Sequence, residues 1–350
     1  MPFDAPRSPD EIATRNRRLV ANWLFFMCGM ILVMVALGGA TRLTGSGLSI
    51  MEWAPIRGIL PPLSDAEWNR LYELYRTIPQ YQLVNKGFGL EGFKEIFWLE
   101  WGHRFWGRLI GLAFVVPLAW LWWRGAVPRA LMPRLLVLFL MGGLQGVVGW
   151  LMVASGFFPD STAVSPYRLV VHLGLALVLY AALLWTGLQL LRTEPIVVPA
   201  RVRLLARATV AAAALAILAG GFVAGLRAGL DYNTFPLMDG RLVPEGYGRL
   251  VPFWLNWTEN VAAVQFNHRL LATATLLLAL GALVAGWRSA ARPVLGLLAG
   301  AVGVQYALGI ATLVHVVPVG LGTLHQTMAV VVLTAALVAL DRMRTRASTL

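Results

Sequence analysis

Among 350 residues there are five histidines and one cysteine. Four of the histidines, His103, His172, His268 and His325, each fall within about two turns of the start of a predicted apolar helix, so all four share one depth. Burying an ionisable ring in lipid is costly, which marks such residues as functional candidates. Two imidazoles facing each other inside a helical bundle can hold haem iron from both sides. Glu100 lies three residues before His103, on the same helix face about one turn away. A carboxylate at the mouth of such a pocket can relay protons, act as acid or base, or steady a positive charge. The bland reading of Glu100 is an interfacial carboxylate paired with Arg104 or Arg108. A lone membrane histidine often only hydrogen-bonds a neighbouring helix, but four at matched depth exceed that explanation. Two histidines would under-ligate bare zinc or copper. His315 has no counterpart and reads as an interfacial or packing residue.

The elements that must position these side chains are membrane spans. Of the chain, 58% is hydrophobic and only 13% charged, which excludes a soluble enzyme, a disordered chain and a secreted disulfide scaffold. Cys28 alone forms no intramolecular disulfide and reads as a small core residue. Eight segments are long and apolar enough to cross about 30 Å of hydrocarbon: 19–41, 99–123, 131–153, 168–191, 206–228, 259–287, 293–316 and 322–341. Two loops are longer, 42–98 and 229–258. In the first, Ser64 to Glu67 looks like a capping box opening a helix through Arg76, and Gly89 to Trp98 like an amphipathic lead-in to the second span.

The net charge of +12 records orientation. Sixteen basic residues fall on one side of this map, from Arg7, Arg15, Arg17 and Arg18 through Arg124, Arg192 and Arg288 to Arg342, Arg344 and Arg346. The positive-inside bias therefore places both termini in the cytoplasm and the histidines toward the periplasm. No basic folded domain suits nucleic acid. Asp4, Asp10 and Glu11 disfavour a transit peptide, and no apolar core precedes a cleavage site, so the expected location is a bacterial inner membrane.

The spans form two copies of one unit. Gly38-Gly39 matches Gly220-Gly221, Glu100–Arg104 matches Gln265–Arg269, Leu144–Gly149 matches Val304–Gly309, and Val171-His172 matches Leu324-His325. Both copies start on the same side, so the fold class is an all-α integral membrane protein of eight transmembrane helices in two parallel-repeat four-helix bundles. The expected divisions are a cytoplasmic tail 1–18, a first bundle 19–191 carrying the loop 42–98, a linker 192–205, a second bundle 206–341 and a tail 342–350.

Within this frame Arg104, Arg108 and Arg269 are candidate partners for haem propionates. Gly102, Gly107 and Gly111, with Gly174 and Ala176, offer clearance near His103 and His172. Gln145 and Gln305 read as interhelical hydrogen-bonders. The polar outer segments 41–47 and 233–236 either cover haem edges or are simply well-formed loops. Gln265 stands where the first copy has Glu100 and cannot ionise, so one copy keeps an active group and the other holds a cofactor.

These residues resemble the haem A synthase family over about Arg15 to Asp341. The most specific stretches are Gly38–Ser49, Glu100–Arg104 with Gly107-Arg108, Tyr232–Asp239, Asn267–Arg269 and Leu324–Gln326. The first loop looks like the mitochondrial and alphaproteobacterial branch. The resemblance implies oxidation of a ring methyl of haem O to a formyl group by successive hydroxylations, giving haem A for cytochrome oxidase. It further implies substrate haem between His103 and His172, haem b on His268 and His325, and Glu100 as the essential carboxylate. The implied partners are haem O synthase, oxidase assembly factors and an unidentified electron acceptor; a homo-oligomer stays open. Some family members carry a cysteine pair in the first outer loop, but residues 42–98 contain no cysteine here. Two other readings share the histidines: a dihaem b-type electron-transfer cytochrome and a haem transporter or chaperone. The cytochrome does not call for the Glu/Gln difference and predicts haem b in both sites; the transporter predicts reversible haem release with no chemical change.

Overall fold

The computed structural model describes residues 8–159, 161–191 and 193–344. Arg7, Arg192, Arg346 and most of the 342–350 tail lie outside the described residues. Eight helices are long and apolar enough to cross a membrane: α1 (Pro9–Leu43), α4 (Leu90–Trp123), α5 (Met132–Ala154), α6 (Pro166–Leu191), α7 (Ala200–Gly225), α8 (Val261–Ala285), α9 (Arg292–Val314) and α10 (Val319–Arg342). Two shorter helices, α2 (Asp65–Arg76) and α3 (Pro79–Leu83), lie in the first long loop. The chain is a multi-pass membrane protein.

Two boundaries differ from the sequence reading. The α1 helix starts at Pro9, inside the expected 1–18 tail, because Ser8 and Glu11 form a complete capping box and proline suits the first helical turn. The expected lead-in 89–98 is not separate either, since α4 runs unbroken from Leu90. His103 consequently lies nearly four turns into its helix, while His172, His268 and His325 lie within two turns of their starts. Ser64 caps α2 by accepting from the Glu67 N–H, as the spacing predicts.

The two halves meet through α1 with α10, α6 with α7, and α6 with α10. Exchanging α1 for α7 and α6 for α10 turns the first contact into the second, as a pseudo-two-fold between parallel repeats requires. Polar bonds cross the seam: Tyr180 Oη to Thr334 Oγ1 at 2.6 Å, and Arg42 Nη2 to the Ala224 carbonyl at 2.7 Å. On the opposite side the linker is tied to the end of α10, where the Ile196 N–H bonds the Arg342 carbonyl at 2.6 Å and buried Asp341 pairs with Arg344 at 2.8 Å.

The halves are packed differently. The first core uses large side chains: Leu24 and Met27 of α1, Phe114 and Leu118 of α4, Leu135 of α5, and Leu183 of α6. The second is built largely on alanine, including Ala206, Ala213, Ala279, Ala282, Ala299, Ala336 and Ala339. Small residues let membrane helices approach closely. Accordingly α7 and α8 form the most extensive helix contact in the protein, whereas α4 and α5 touch far less than their counterparts α8 and α9. One end of the first half is covered by the 42–98 loop, whose own aromatic core joins Trp68, Tyr75, Tyr81, Phe93 and Phe97.

Candidate functional site

Each of the four repeat-matched histidines packs against a glycine on a neighbouring helix. A methyl group on Gly38 would stand 3.2 Å from His103 Nε2, and one on Gly149 2.8 Å from His172 Cε1. In the second half the distances are 3.0 Å from Gly220 to His268 Cε1 and 2.9 Å from Gly309 to His325 Cε1. A side chain at any of these positions would press on the ring, most tightly at Gly149 and Gly309. Of the glycines expected to give clearance, Gly102 and Gly111 face open space, while Gly107 packs on Met34 and Gly174 on Leu218.

The repeat extends to hydrogen bonds. Gln145 Nε2 donates to the His172 carbonyl at 2.9 Å, and Gln305 Nε2 to the His325 carbonyl at 3.1 Å. Both glutamines thus join α5 to α6 and α9 to α10, as interhelical hydrogen-bonders would. His268 Nδ1 lies 3.0 Å from the Ala216 carbonyl. A carbonyl only accepts, so Nδ1 carries the proton and Nε2 keeps its lone pair, the usual state of a metal-ligating histidine. His315 stands apart, exposed, with Nδ1 bonded to its own helix at Ala311.

Glu100 is buried and fully engaged. Its Oε2 accepts from Ser49 Oγ at 2.7 Å and the Ile50 N–H at 2.9 Å. Its Oε1 accepts from Arg104 Nη2 at 2.6 Å and Nε at 3.0 Å. Arg104 continues to the carbonyls of Ile50 and Glu52, at 2.5 and 2.9 Å. Glu100 therefore pairs with Arg104, as its bland reading expects, but is buried rather than interfacial, one turn from His103.

In the second half, Arg269 Nη2 bonds Gln265 Oε1 at 2.9 Å and the Tyr232 carbonyl at 2.6 Å, while Nη1 bonds the Thr234 carbonyl at 2.9 Å. Ile50 and Tyr232, like Glu52 and Thr234, are related by the same offset as Gly38 and Gly220. So are Gly45 and Arg227, both left-handed at φ +70 and +55. The contacts of the residue four before each arginine differ in polarity and in partner. Gln265 Nε2 donates to the carbonyls of Ala228 and Asp231, at 2.7 and 2.6 Å, where Glu100 accepts from Ser49 and Ile50.

The three arginines expected at propionates hold loop backbone first. Arg108 bonds the Pro55 and Ala54 carbonyls at 2.9 and 2.8 Å. Arg108 Nη1 and Arg269 Nε remain buried with no partner in the protein, as do His172 Nδ1 and His325 Nδ1. Two imidazoles that would hold one haem iron between them must face each other across a short gap. The centres of His268 and His325 are 6.4 Å apart. Among the described residues no group of three His, Cys, Asp or Glu side chains could hold a bare metal ion. The second half therefore fits a haem, with two imidazoles, glycine clearance and a spare cationic donor.

A family model described as cytochrome oxidase assembly protein matches residues 21–337. The chain belongs to this family. A Granulibacter bethesdensis relative in the family is 62% identical over 335 residues, covering 94% of this chain and 88% of its own length. A Rhodospirillum centenum relative is 51% identical, covering 93% of this chain and 89% of its own length. One from Parvibaculum lavamentivorans is 48% identical, covering 92% and 93%. All three carry the name haem A synthase. This agrees with the resemblance read from the motifs.

Sequence reasoning placed the histidines, Glu100 and the arginines but missed Ser49, the Ile50 N–H and the glycine partners of the rings. Gly38, Gly149, Gly220 and Gly309 all lie inside the stretches that revealed the repeat. A glycine recurring at matched positions on two helices was the available signal.

Proposed function

We propose that this chain oxidises a ring methyl of haem O to a formyl group, producing haem A for cytochrome oxidase. The substrate lies in the first half between His103 and His172, and haem b is held in the second half by His268 and His325. The observation that carries this reading is the Glu100/Gln265 difference set inside two otherwise matched histidine–glycine sites. The relatives named haem A synthase supply the reaction.

When bound, haem b supplies one-electron chemistry. The residues of the chain do the positioning. Gly220 and Gly309 let the second-half imidazoles approach, and the Ala216 carbonyl orients His268. The tight alanine packing of this half suits a resident group, and the looser α4–α5 contact of the first suits a substrate that enters and leaves. Both oxygens of Glu100 are occupied by donors, so it serves as a fixed negative charge that steadies positive charge near the reacting ring. A proton relay through it would first have to break the bonds to Arg104 or Ser49. Arg108 and Arg269 offer spare donors to propionates. The basic residues support cytoplasmic termini and haem sites toward the periplasm.

The test is expression in a host that makes haem O but no haem A. The mass of the extracted haem is expected to show the formyl product. Haem O that stays unconverted in the presence of folded protein would overturn the proposal.

A further inference from the structure

The segment 50–63 crosses the outer part of the first half as an irregular strap containing a 3-10 turn at Arg57–Ile59. Four of its carbonyls are held by arginines of α4. Arg104 takes those of Ile50 and Glu52, and Arg108 takes those of Ala54 and Pro55. The Gly58 and Ile59 N–H groups bond back to Ala54 and Ile56, and Pro55, Pro61 and Pro62 have no N–H to satisfy. Trp53 stacks on Trp150 of α5 with ring centres 6.1 Å apart. The apolar side chains point away from the protein: Ile56 is 78% exposed, Leu60 66% and Leu63 80%.

The depth of this strap follows from α4. Arg108 lies fifteen residues before the inner end of that helix at Trp123, which is about 23 Å at 1.5 Å per residue. That is within the roughly 30 Å of hydrocarbon. Helical side chains lean toward the N-terminus, so the guanidinium reaches about one turn outward, to the edge of the apolar layer. The strap hangs on that guanidinium. Irregular backbone is excluded from the lipid core unless its polar groups are satisfied. The two arginines satisfy four carbonyls of the strap, and at the edge of the apolar layer the polar interface solvates the rest while apolar side chains dip inward. Arg108 has no cationic counterpart; the matched residue of the second half is Thr273. The strap touches α4 and, through Trp53, α5, and both helices expose apolar side chains, among them Leu112, Val116, Leu144 and Leu151. Arg57 is the only charged residue between Trp53 and Leu63, and its sign suits lipid phosphate.

We infer that the strap is a lipid-contacting element whose Ile56, Ile59, Leu60 and Leu63 insert among the acyl chains of the outer leaflet. It extends the membrane-facing surface of the first half beyond the helices, and it does so independently of what the site transforms.

The test uses single nitroxide labels on the full chain in phosphatidylcholine vesicles, at Ile56→Cys and Leu60→Cys. Glu73→Cys on the exposed face of α2 is the aqueous reference, and Cys28 is buried. Collisions with oxygen are expected to be several-fold more frequent at 56 and 60 than at 73, and those with water-soluble nickel chelate several-fold rarer. Labels at 56 and 60 that respond to nickel as 73 does would overturn the inference, because the strap would face water. Labels protected from both reagents would overturn it too, because another protein surface would cover the strap.

Discussion

Glu100 and Gln265 occupy the same place in the two repeats, each four residues before an arginine that grips the adjacent loop, yet they face that loop with opposite polarity. Glu100 accepts from Ser49 and Ile50, whereas Gln265 donates to Ala228 and Asp231. The side-chain difference is thus matched by what the loop presents, a hydroxyl and an N–H to Glu100 and two carbonyls to Gln265, and neither residue can replace the other freely.

Glu100→Gln would turn an amide N–H₂ or a weaker acceptor toward the Ser49 and Ile50 donors and leave Arg104 without its anion. Hydrogen bonds to charged groups are worth about 1.5–3 kcal/mol, so a loss of that order in stability is expected. Membrane insertion and second-half haem should persist while haem A formation stops. Pigment extraction checks this, and a normal haem A yield would remove Glu100 from the reaction. Gln265→Glu should destabilise the second half by aiming a carboxylate at two carbonyls; a lowered Tm and partial loss of haem b are its readouts.

The ring-facing glycines should separate the two sites. Overpacking a close contact costs about 1–3 kcal/mol. Gly309→Ala places a methyl 2.9 Å from His325, and Gly149→Ala places one 2.8 Å from His172. The first variant is expected to weaken haem b binding or shift its optical spectrum. The second should reduce product while leaving that spectrum unchanged. Absorption spectra of both purified variants, with haem A yields, make the comparison.

The 42–98 loop should respond to acid through Arg70. This guanidinium bonds Glu52 and Glu67, at 2.9 and 2.8 Å, and holds both carboxyls below the ordinary carboxylate range. Because the folded values are depressed, these groups add stability above the ordinary carboxylate pKa. That contribution is lost as pH falls through the depressed values. Limited proteolysis of the loop should therefore accelerate on acidification below about pH 4.5, and Arg70→Met should remove most of that pH dependence while raising cleavage at neutral pH. A loop equally resistant in both proteins at neutral pH would count against the linkage.

Much of this was legible in the sequence because membrane spans and rare ionisable residues are strong local signals. The histidines could be found from position alone, and the repeat from four short matches. The start of α1 was also written in Ser8, Pro9 and Glu11, but the apolar pattern drew the boundary to Leu19. The glycine–imidazole contacts and the latch from Glu100 to Ile50 were not legible. They join residues far apart in sequence, and the Ile50 bond involves a backbone N–H whose direction no side-chain pattern encodes. The looseness between α4 and α5 depends on how helices sit together, which their uniformly apolar faces do not reveal.

The division of labour between the halves is tested most directly by the haem content of three purified proteins from a host that makes haem O: the unaltered chain, His103→Ala and His325→Ala. Mass analysis is expected to find haem A and haem b in the first, haem b with unconverted haem O in the second, and loss of haem b in the third. Equal loss of haem b from both variants would contradict the assignment of substrate to the first half and cofactor to the second.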